Sequence, residues 1–140
     1  MNNIHATLVS LNNKGILLIG KSGSGKSDLA LRIIMEKGAL LVADDRVCLK
    51  IENGKLFGFS PDEIKGKMEI RNVGIIETDY IKDVEIVLCV ELFTDRNLLE
   101  RLPTKKTISF LGADIDKLDL YPFDCSTIYK IIQKITGKFI

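Results

Sequence analysis

Residues 20–27 combine glycines, serines and a lysine at the spacing of a phosphate-binding loop. They read GKSGSGKS and fit the pattern G-x-x-x-x-G-K-[ST] in full. Glycines let backbone N–H groups approach a phosphate closely, and the helix that follows begins with unpaired N–H groups. The lysine neutralises the β- and γ-phosphate oxygens of ATP, and the last hydroxyl is offered to Mg²⁺. The predicted nucleotide-binding residues are therefore Gly20, Lys21, Ser22, Gly23, Ser24, Gly25, Lys26 and Ser27, with Ser27 also a magnesium ligand.

Two adjacent carboxylates, Asp44 and Asp45, lie where the apolar segment LVADDRV turns polar. In phosphate-loop proteins an acid at the end of an apolar strand holds the metal ion, often through water. If the chain stays extended, Asp45 points away from Asp44 and can accept the proton of a substrate hydroxyl. We predict Asp44 at the metal and Asp45 as base, and the sequence leaves open whether these roles are exchanged. A solvated acid pair is one alternative, and Glu91 at the end of VEIVLCVEL is a rival metal ligand.

His5 is the one histidine in the chain. A single histidine in a strand is often structural, and that interpretation stays open here. If a strand at 4–10 pairs beside GILLIG, however, it brings His5 close to the loop and to the aspartates. The unperturbed pKa of histidine, about 6.5, suits proton sharing with a carboxylate.

Apolar spacing predicts the elements that position these groups. HATLVSLNNKGILLIG reads as two strands joined by a turn at residues 12–15. A helix should begin at Lys26 and end at Gly38, and ALLVA should form a buried strand after it. This strand–helix–strand order is a βαβ unit, with its two strands expected to be parallel.

The second half of the chain carries further turn and strand signals. Asn53-Gly54 predicts a hairpin, residues 60–62 a turn, and 68–70 and VEIVLCVEL strands. TDRNLLERLP, 94–103, predicts a short helix capped by Thr94 and ended before Pro103. A closing amphipathic helix should turn four isoleucines inward, namely Ile128, Ile131, Ile132 and Ile135. The predicted fold class is α/β: one P-loop kinase-like domain over residues 1–140, with a central mixed β-sheet, an N-terminal hairpin and flanking helices.

Composition limits the class of partner. The chain has 140 residues, 46% hydrophobic and 28% charged, and a net charge of +1. This balance gives no electrostatic reason to expect nucleic acid or an acidic membrane as partner. No apolar run reaches about 18 residues, and the first residues do not read as a secretory signal, so a cytoplasmic protein is expected. The three cysteines, Cys48, Cys89 and Cys125, lie too far apart for a zinc motif and are predicted to be buried, reduced thiols.

Several of these segments together resemble the HPr kinase/phosphorylase family. The likeness rests on His5, on GKSGSGKS and LVADDRV, on MEIR at 68–71 and on ERLP at 100–103. It matches a short form that comprises only the C-terminal catalytic domain. The family phosphorylates a serine of the phosphocarrier protein HPr and can remove that phosphate by phosphorolysis. The resemblance implies ATP and Mg²⁺ as cofactors, an HPr-like protein as partner and a homo-oligomer, a hexamer in the family.

The resemblance also implies a role for each matching residue. His5, Lys26, Asp45, Arg71 and Arg101 would be catalytic, with Asp45 taking the serine proton and His5 orienting it. The metal ligands would be Ser27 and Glu69, with Asp44 in support. Without the family, Glu69 and Arg71 read as a surface pair and Arg101 as an ordinary cation at a helix end.

Three segments depart from the family pattern. Asn72 stands where the glycine after EIR is usual. Only ETDYIKD remains of a longer glycine-rich loop, and LYPFDCST lacks the arginine of a stretch linked to dephosphorylation. The phosphorylase activity and the usual HPr contacts are therefore not carried over residue by residue.

Three functional hypotheses follow. The leading one is an ATP- and Mg²⁺-dependent serine kinase that acts on HPr by in-line phosphoryl transfer. A nucleotide-sensing regulatory module with weak catalysis is the second, and the trimmed loop favours it. A kinase for a small metabolite is the third, because phosphate loops serve many acceptors.

Overall fold

The computed structural model describes residues 3–137, which form a curled mixed β-sheet with two helices. The helices are α1 (Lys26–Lys37) and α2 (Thr127–Thr136). The strands are β1 (Asn3–His5), β2 (Thr7–Leu11), β3 (Lys14–Ile19), β4 (Leu40–Ala43), β5 (Arg46–Glu52), β6 (Lys55–Phe59), β7 (Lys67–Ile70), β8 (Gly74–Glu77), β9 (Asp83–Leu92), β10 (Lys106–Phe110) and β11 (Ala113–Leu120). Neither helix is long and apolar enough to cross a membrane within these residues.

The main sheet has the strand order β1-β5-β6-β9-β3-β2-β4, with β11 paired to β9 and β10 to β11. β3, β9 and β11 are parallel neighbours. β2 is antiparallel to both β3 and β4, so β3 and β4 run in the same direction with β2 between them. The predicted βαβ unit is thus confirmed as to direction, but its two strands are not adjacent. β7 and β8 form a separate two-stranded hairpin.

Apolar side chains fill both faces of the sheet. Because successive strand residues point to opposite faces, Leu18 on β3 faces the helices while Leu17 faces the inside of the curl. The helix side also contains Leu29 and Ile33 of α1 and Ile131 of α2, all essentially buried. This two-sided burial explains the near-continuous apolar run of β3 and holds α1 against the carboxyl end of that strand.

Most of the predicted local signals are confirmed. The turn between β2 and β3 places Asn12 and Asn13 at positive φ, as a two-residue hairpin requires. Gly38 ends α1 in a left-handed conformation, and its N–H donates to the carbonyl of Ile34 at 3.0 Å. The closing helix buries Ile128 and Ile131, and Ile132 and Ile135 lie partly buried against the same core.

The thiol prediction is confirmed for Cys48 and Cys89 and wrong for Cys125. Burial raises the pKa of Cys89 to about 12, so this thiol stays protonated and behaves as a small apolar side chain. Cys125 is exposed, because it lies in the connection before α2 and not in a strand.

The helix predicted over 94–103 is wrong. Only Arg96–Leu98 forms a 3-10 turn, and its cap is Asp95, whose carboxylate accepts the N–H of Asn97 at 3.0 Å. Leu98 and Leu102 are 65% and 86% exposed, so the segment has no buried apolar face to stabilise a helix.

The strand predicted over 4–10 is broken at Ala6, and this break matters for the site. β1 pairs with β5, placing His5 opposite Arg46, whereas β2 pairs with β3 and β4. The N–H of Ala6 donates to the carbonyl of Asp45 at 3.3 Å. His5 therefore lies beside the aspartates through β5 and not through GILLIG.

Candidate functional site

The loop 20–27 connects the carboxyl end of β3 to the start of α1. Gly23 and Gly25 have φ values of +80° and +95°, which explains glycine at these two positions. The N–H of Leu29 makes the first helical bond, to the carbonyl of Gly25 at 2.9 Å. The N–H groups that precede it at the helix start have no helical acceptor, so they are suited to an anion.

Lys26, the first residue of α1, is buried, and its ammonium lies against the first residues of the loop. Its exposed fraction is 7%, and its ammonium donates to the carbonyls of Gly20 and Lys21 at 3.0 and 3.1 Å. Burial lowers the pKa of Lys26, and the charges of Asp45 and Asp44 oppose that shift. The ammonium is thus held among backbone carbonyls, within electrostatic range of both aspartates.

The hydroxyl of Ser24 supports the fit of a phosphate to this loop. Ser24 is 3% exposed, and its Oγ is a buried polar atom with no hydrogen-bond partner within residues 3–137. An unpaired buried hydroxyl costs free energy, and a bound phosphate oxygen would satisfy it. The donors of the loop therefore match the chemistry of a phosphate chain.

Asp44, the residue after β4, has a buried carboxylate, 5% exposed, that accepts three hydrogen bonds. They come from the hydroxyls of Ser27 at 2.7 Å and Thr7 at 3.1 Å, both to Oδ1, and from the backbone N–H of Glu69 at 3.3 Å, to Oδ2. Ser27 and Asp44, both predicted to lie at Mg²⁺, are thus in contact, and their role as metal ligands stays a prediction. Sequence reasoning missed Thr7, although a hydroxyl at the start of the otherwise mostly apolar strand β2 was a signal.

The ligand groups around Asp44 suit Mg²⁺ better than they suit a metal ion that is held by protein side chains alone. Within the described residues, no three His, Cys, Asp or Glu side chains are grouped as metal ligands. Mg²⁺ is commonly held by one or two carboxylates together with substrate phosphates and water. One carboxylate and one hydroxyl beside loop 20–27 fit that pattern.

The backbone at Asp45 is not extended. The alternation of side chains along a strand, which was the predicted reason for Asp45 to point away from Asp44, therefore does not apply. Its φ is +70°, and the N–H of Arg46 donates to the carbonyl of Asp44 at 2.8 Å. A bond that spans one residue with positive φ defines a γ-turn of the rare, strained kind. The turn separates the two carboxylates, and such strain is often found at functional positions.

The turn brings Asp45 into contact with His5. His5 Nε2 lies 2.9 Å from Asp45 Oδ1, and the side chains are 42% and 70% exposed. Asp44 is enclosed while Asp45 is open to solvent. Asp44 is therefore available to a ligand inside the site, and Asp45 to a molecule that approaches from solvent.

Glu69, Arg71 and Arg101 are less closely joined to this cluster. Glu69 reaches Asp44 through its backbone N–H, while its side chain is exposed. Arg71 and Arg101 are exposed, and no hydrogen bond or ion pair connects them to the aspartates or Lys26 in residues 3–137. Glu69 and Arg71 likewise form no ion pair with each other there.

Two further sequence features find structural explanations. Asn72 has a φ of +70°, a conformation that asparagine tolerates better than most residues, so it can replace a glycine in the turn between β7 and β8. The rival metal ligand Glu91 is ion-paired with Lys117 at 2.9 Å. Glu91 follows Val90 on β9, and Val90 faces the helices, so Glu91 points to the opposite face of the sheet.

Removing the hydroxyl of Thr7 should destabilise the fold through Asp44. We expect Thr7→Val to lower the free energy of unfolding by about 1–3 kcal/mol, because a buried carboxylate loses one of its donors. Urea denaturation measures this loss. Thr107→Val is the matched control on the exposed edge strand β10 and should change stability by less than about 0.5 kcal/mol. Equal effects of the two substitutions would contradict the role assigned to Thr7.

The mixed sheet with its two helices puts the chain in the α/β class, with loop 20–27 and the acid pair at one end of parallel strands. Within that class, the model of the family described as HPr Serine kinase C-terminal domain matches residues 1–139. The chain belongs to this family.

Named relatives agree with this membership. The HPr kinase/phosphorylase of Clostridium beijerinckii is 35% identical over 125 residues, which cover 82% of this chain and 41% of the relative. That of Clostridium tetani is 38% identical over 111 residues, or 79% and 36% of the two chains. The chain thus spans about two fifths of the length of the curated relatives it matches.

A solved structure gives the same result for the fold. The Hpr(Ser) kinase/phosphatase from Coxiella burnetii superposes with a TM-score of 0.83 at 26% sequence identity. The match covers 96% of this chain and 88% of that one. The predicted α/β class with a mixed sheet is confirmed.

Proposed function

We propose that this chain is an ATP- and Mg²⁺-dependent kinase that phosphorylates a serine of an HPr-like phosphocarrier protein. The observation that carries the proposal is the difference in burial and contacts between two adjacent acids. Asp44 is buried and accepts a hydrogen bond from Ser27, whereas Asp45 is exposed and contacts His5. The charges of both acids act on Lys26. Membership in the HPr serine kinase family and the names of its relatives support the acceptor.

The nucleotide is bound by loop 20–27 in this proposal. Backbone N–H groups at the start of α1 and the hydroxyl of Ser24 contact the phosphates. The ammonium of Lys26 moves from the carbonyls of Gly20 and Lys21 to the β- and γ-phosphate oxygens and neutralises their charge. Ser27, Asp44 and Glu69 would hold Mg²⁺, which when bound neutralises charge on the same oxygens.

Asp45 acts as the base in the transfer. Its carboxylate accepts the proton of the substrate serine, whose oxygen then bonds to the γ-phosphorus as the bond to the β-phosphate oxygen breaks and ADP leaves. His5 is a positioning residue whose Nε2 lies 2.9 Å from the carboxylate of Asp45 and orients it. Arg71 and Arg101, both exposed, are proposed to offset charge on the transferred group as the acceptor docks. Phosphorolysis would return the proton from Asp45 to the serine.

The proposal extends to the organisation of the protein. We propose one domain over residues 1–140, a homo-oligomer of hexameric size and a cytoplasmic location, with neither nucleic acid nor a membrane as partner. The net charge of +1 supports the last point. Light scattering of the purified chain measures the oligomeric mass, and a monomer would contradict the hexamer.

A transfer assay tests the activity. The chain is incubated with labelled ATP, Mg²⁺ and purified HPr, and we expect phosphoserine on HPr by mass spectrometry. HPr with its acceptor serine replaced by alanine is the control and should stay unlabelled. Nucleotide binding without transfer to HPr would support the sensing module instead, and labelling of a small molecule would support a metabolite kinase.

A further inference from the structure

An exposed aromatic ring lies against the phosphate loop on the side away from the aspartates. Phe123 is 52% exposed and belongs to the connection 121–124 between β11 and α2. A Cβ atom built on Gly25 would lie 3.0 Å from Cε1 and 3.2 Å from Cζ of this ring. A Cβ at position 25 would therefore crowd the ring, and the φ of +95° also favours glycine there.

Contacts with other parts of the fold hold the connection that carries Phe123 in place. The rings of Tyr121 and Phe123 meet edge to face, with centroids 5.6 Å apart and planes at 84°. Arg96 lies 3.9 Å from the centre of the Tyr121 ring and donates to both carboxylate oxygens of Asp124. Arg32 of α1 donates to the carbonyl of Pro122. These contacts fix an aromatic pair beside the loop.

Topology places this pair opposite the acids. The loop follows β3, Asp44 follows β4 two positions along the sheet, and residues 121–124 follow β11 two positions in the other direction. β3, β4 and β11 run the same way, so all three connections lie at one edge of the sheet. If the γ-phosphate lies at Asp45, as proposed, and the phosphate chain crosses loop 20–27 away from β4, the nucleoside lies on the side of the aromatic pair.

We propose that the aromatic pair, Tyr121 and Phe123, is the platform on which the base of the nucleotide stacks. The inference depends on the proposed function, which orients the phosphates across loop 20–27. Phe123 offers the exposed ring surface, and Tyr121 holds it in place under the guanidinium of Arg96. Stacking uses the π-face that every base has, so the platform contributes affinity without selecting one base by hydrogen bonds.

Comparing a nucleotide with a base-free phosphate chain tests this platform. Isothermal titration calorimetry gives Kd for ATP and for inorganic tripolyphosphate, both with Mg²⁺. Phe123→Ala should raise Kd for ATP about 5- to 150-fold and leave Kd for tripolyphosphate within about twofold. Phe123→Trp should keep ATP affinity. Tyr129→Ala, the loss of a 50% exposed aromatic ring elsewhere on the surface, is the matched control and should change neither value.

The other outcomes are distinguishable. Phe123→Leu keeps an apolar contact with Gly25 but lacks a π-face, so it tests stacking if the alanine variant unfolds. Equal weakening of ATP and tripolyphosphate, or wild-type affinities that do not differ between the two ligands, would overturn the platform and leave the phosphate loop intact. Failure of the wild type to bind either ligand would refute the proposed function itself.

Discussion

Lys26→Ala is expected to weaken ATP binding about 30- to 3,000-fold. The ammonium is already desolvated at 7% exposure and held by two loop carbonyls, so it lies ready to meet a phosphate. Removing one partner of a buried charge contact costs a few kcal/mol, and each 1.4 kcal/mol is a tenfold change in Kd. Because burial lowers the pKa of this lysine, the substitution also removes a desolvated charge, and we expect the protein to stay folded.

The controls separate this contact from a general charge effect. Lys37→Ala removes a lysine from the exposed last turn of the same helix and should leave Kd for ATP unchanged. Calorimetric titration with ATP and Mg²⁺ measures both variants, and thermal unfolding of each confirms that it is folded. ATP affinity undiminished in Lys26→Ala would remove the nucleotide from loop 20–27.

The parts of the site that depend on local patterns were predictable from the sequence. The order of strand, glycine-rich loop and helix is encoded by adjacent residues, and so are the left-handed stop at Gly38 and the apolar run of β4. The contact of Ser27 with Asp44 also follows, because Ser27 lies at the start of α1 after β3, Asp44 follows β4, and the two strands run in the same direction. Whether that contact serves a metal ion remains a prediction.

The parts that depend on pairing between distant segments were not predictable. The break at Ala6 and the γ-turn at Asp45 are connected, because the N–H of Ala6 donates to the carbonyl of Asp45. No local signal reveals that pairing, because aspartate usually has a negative φ. The β10–β11 hairpin was not predicted for a related reason. Its turn places Leu111 at a φ of +52°, and leucine disfavours positive φ, so the sequence carries no turn signal there.

Asp45→Asn is expected to lower kcat for transfer to serine about 10²- to 10⁴-fold, with Kd for ATP within about twofold. An amide cannot accept the serine proton, and the loss of a positioned base typically has this size. Asparagine tolerates the φ of +70° that alanine would strain, so the turn and the neighbouring Asp44 should keep their geometry. Single-turnover transfer and calorimetric ATP binding give the two quantities separately. An equal loss of binding and turnover would make Asp45 a ligand and not the base.

The contact between His5 and Asp45 makes that prediction sharper. His5→Gln alone should lower kcat less than Asp45→Asn does, because it removes the orientation of the base and not the base. Combined with Asp45→Asn it should add little, since two residues that act through one group are not additive. Asp114→Asn, on the exposed part of β11, is the matched control and should keep full transfer. Additive effects in the double variant would mean that His5 acts on the phosphoryl group independently, and the strained turn would then serve only to separate the two acids.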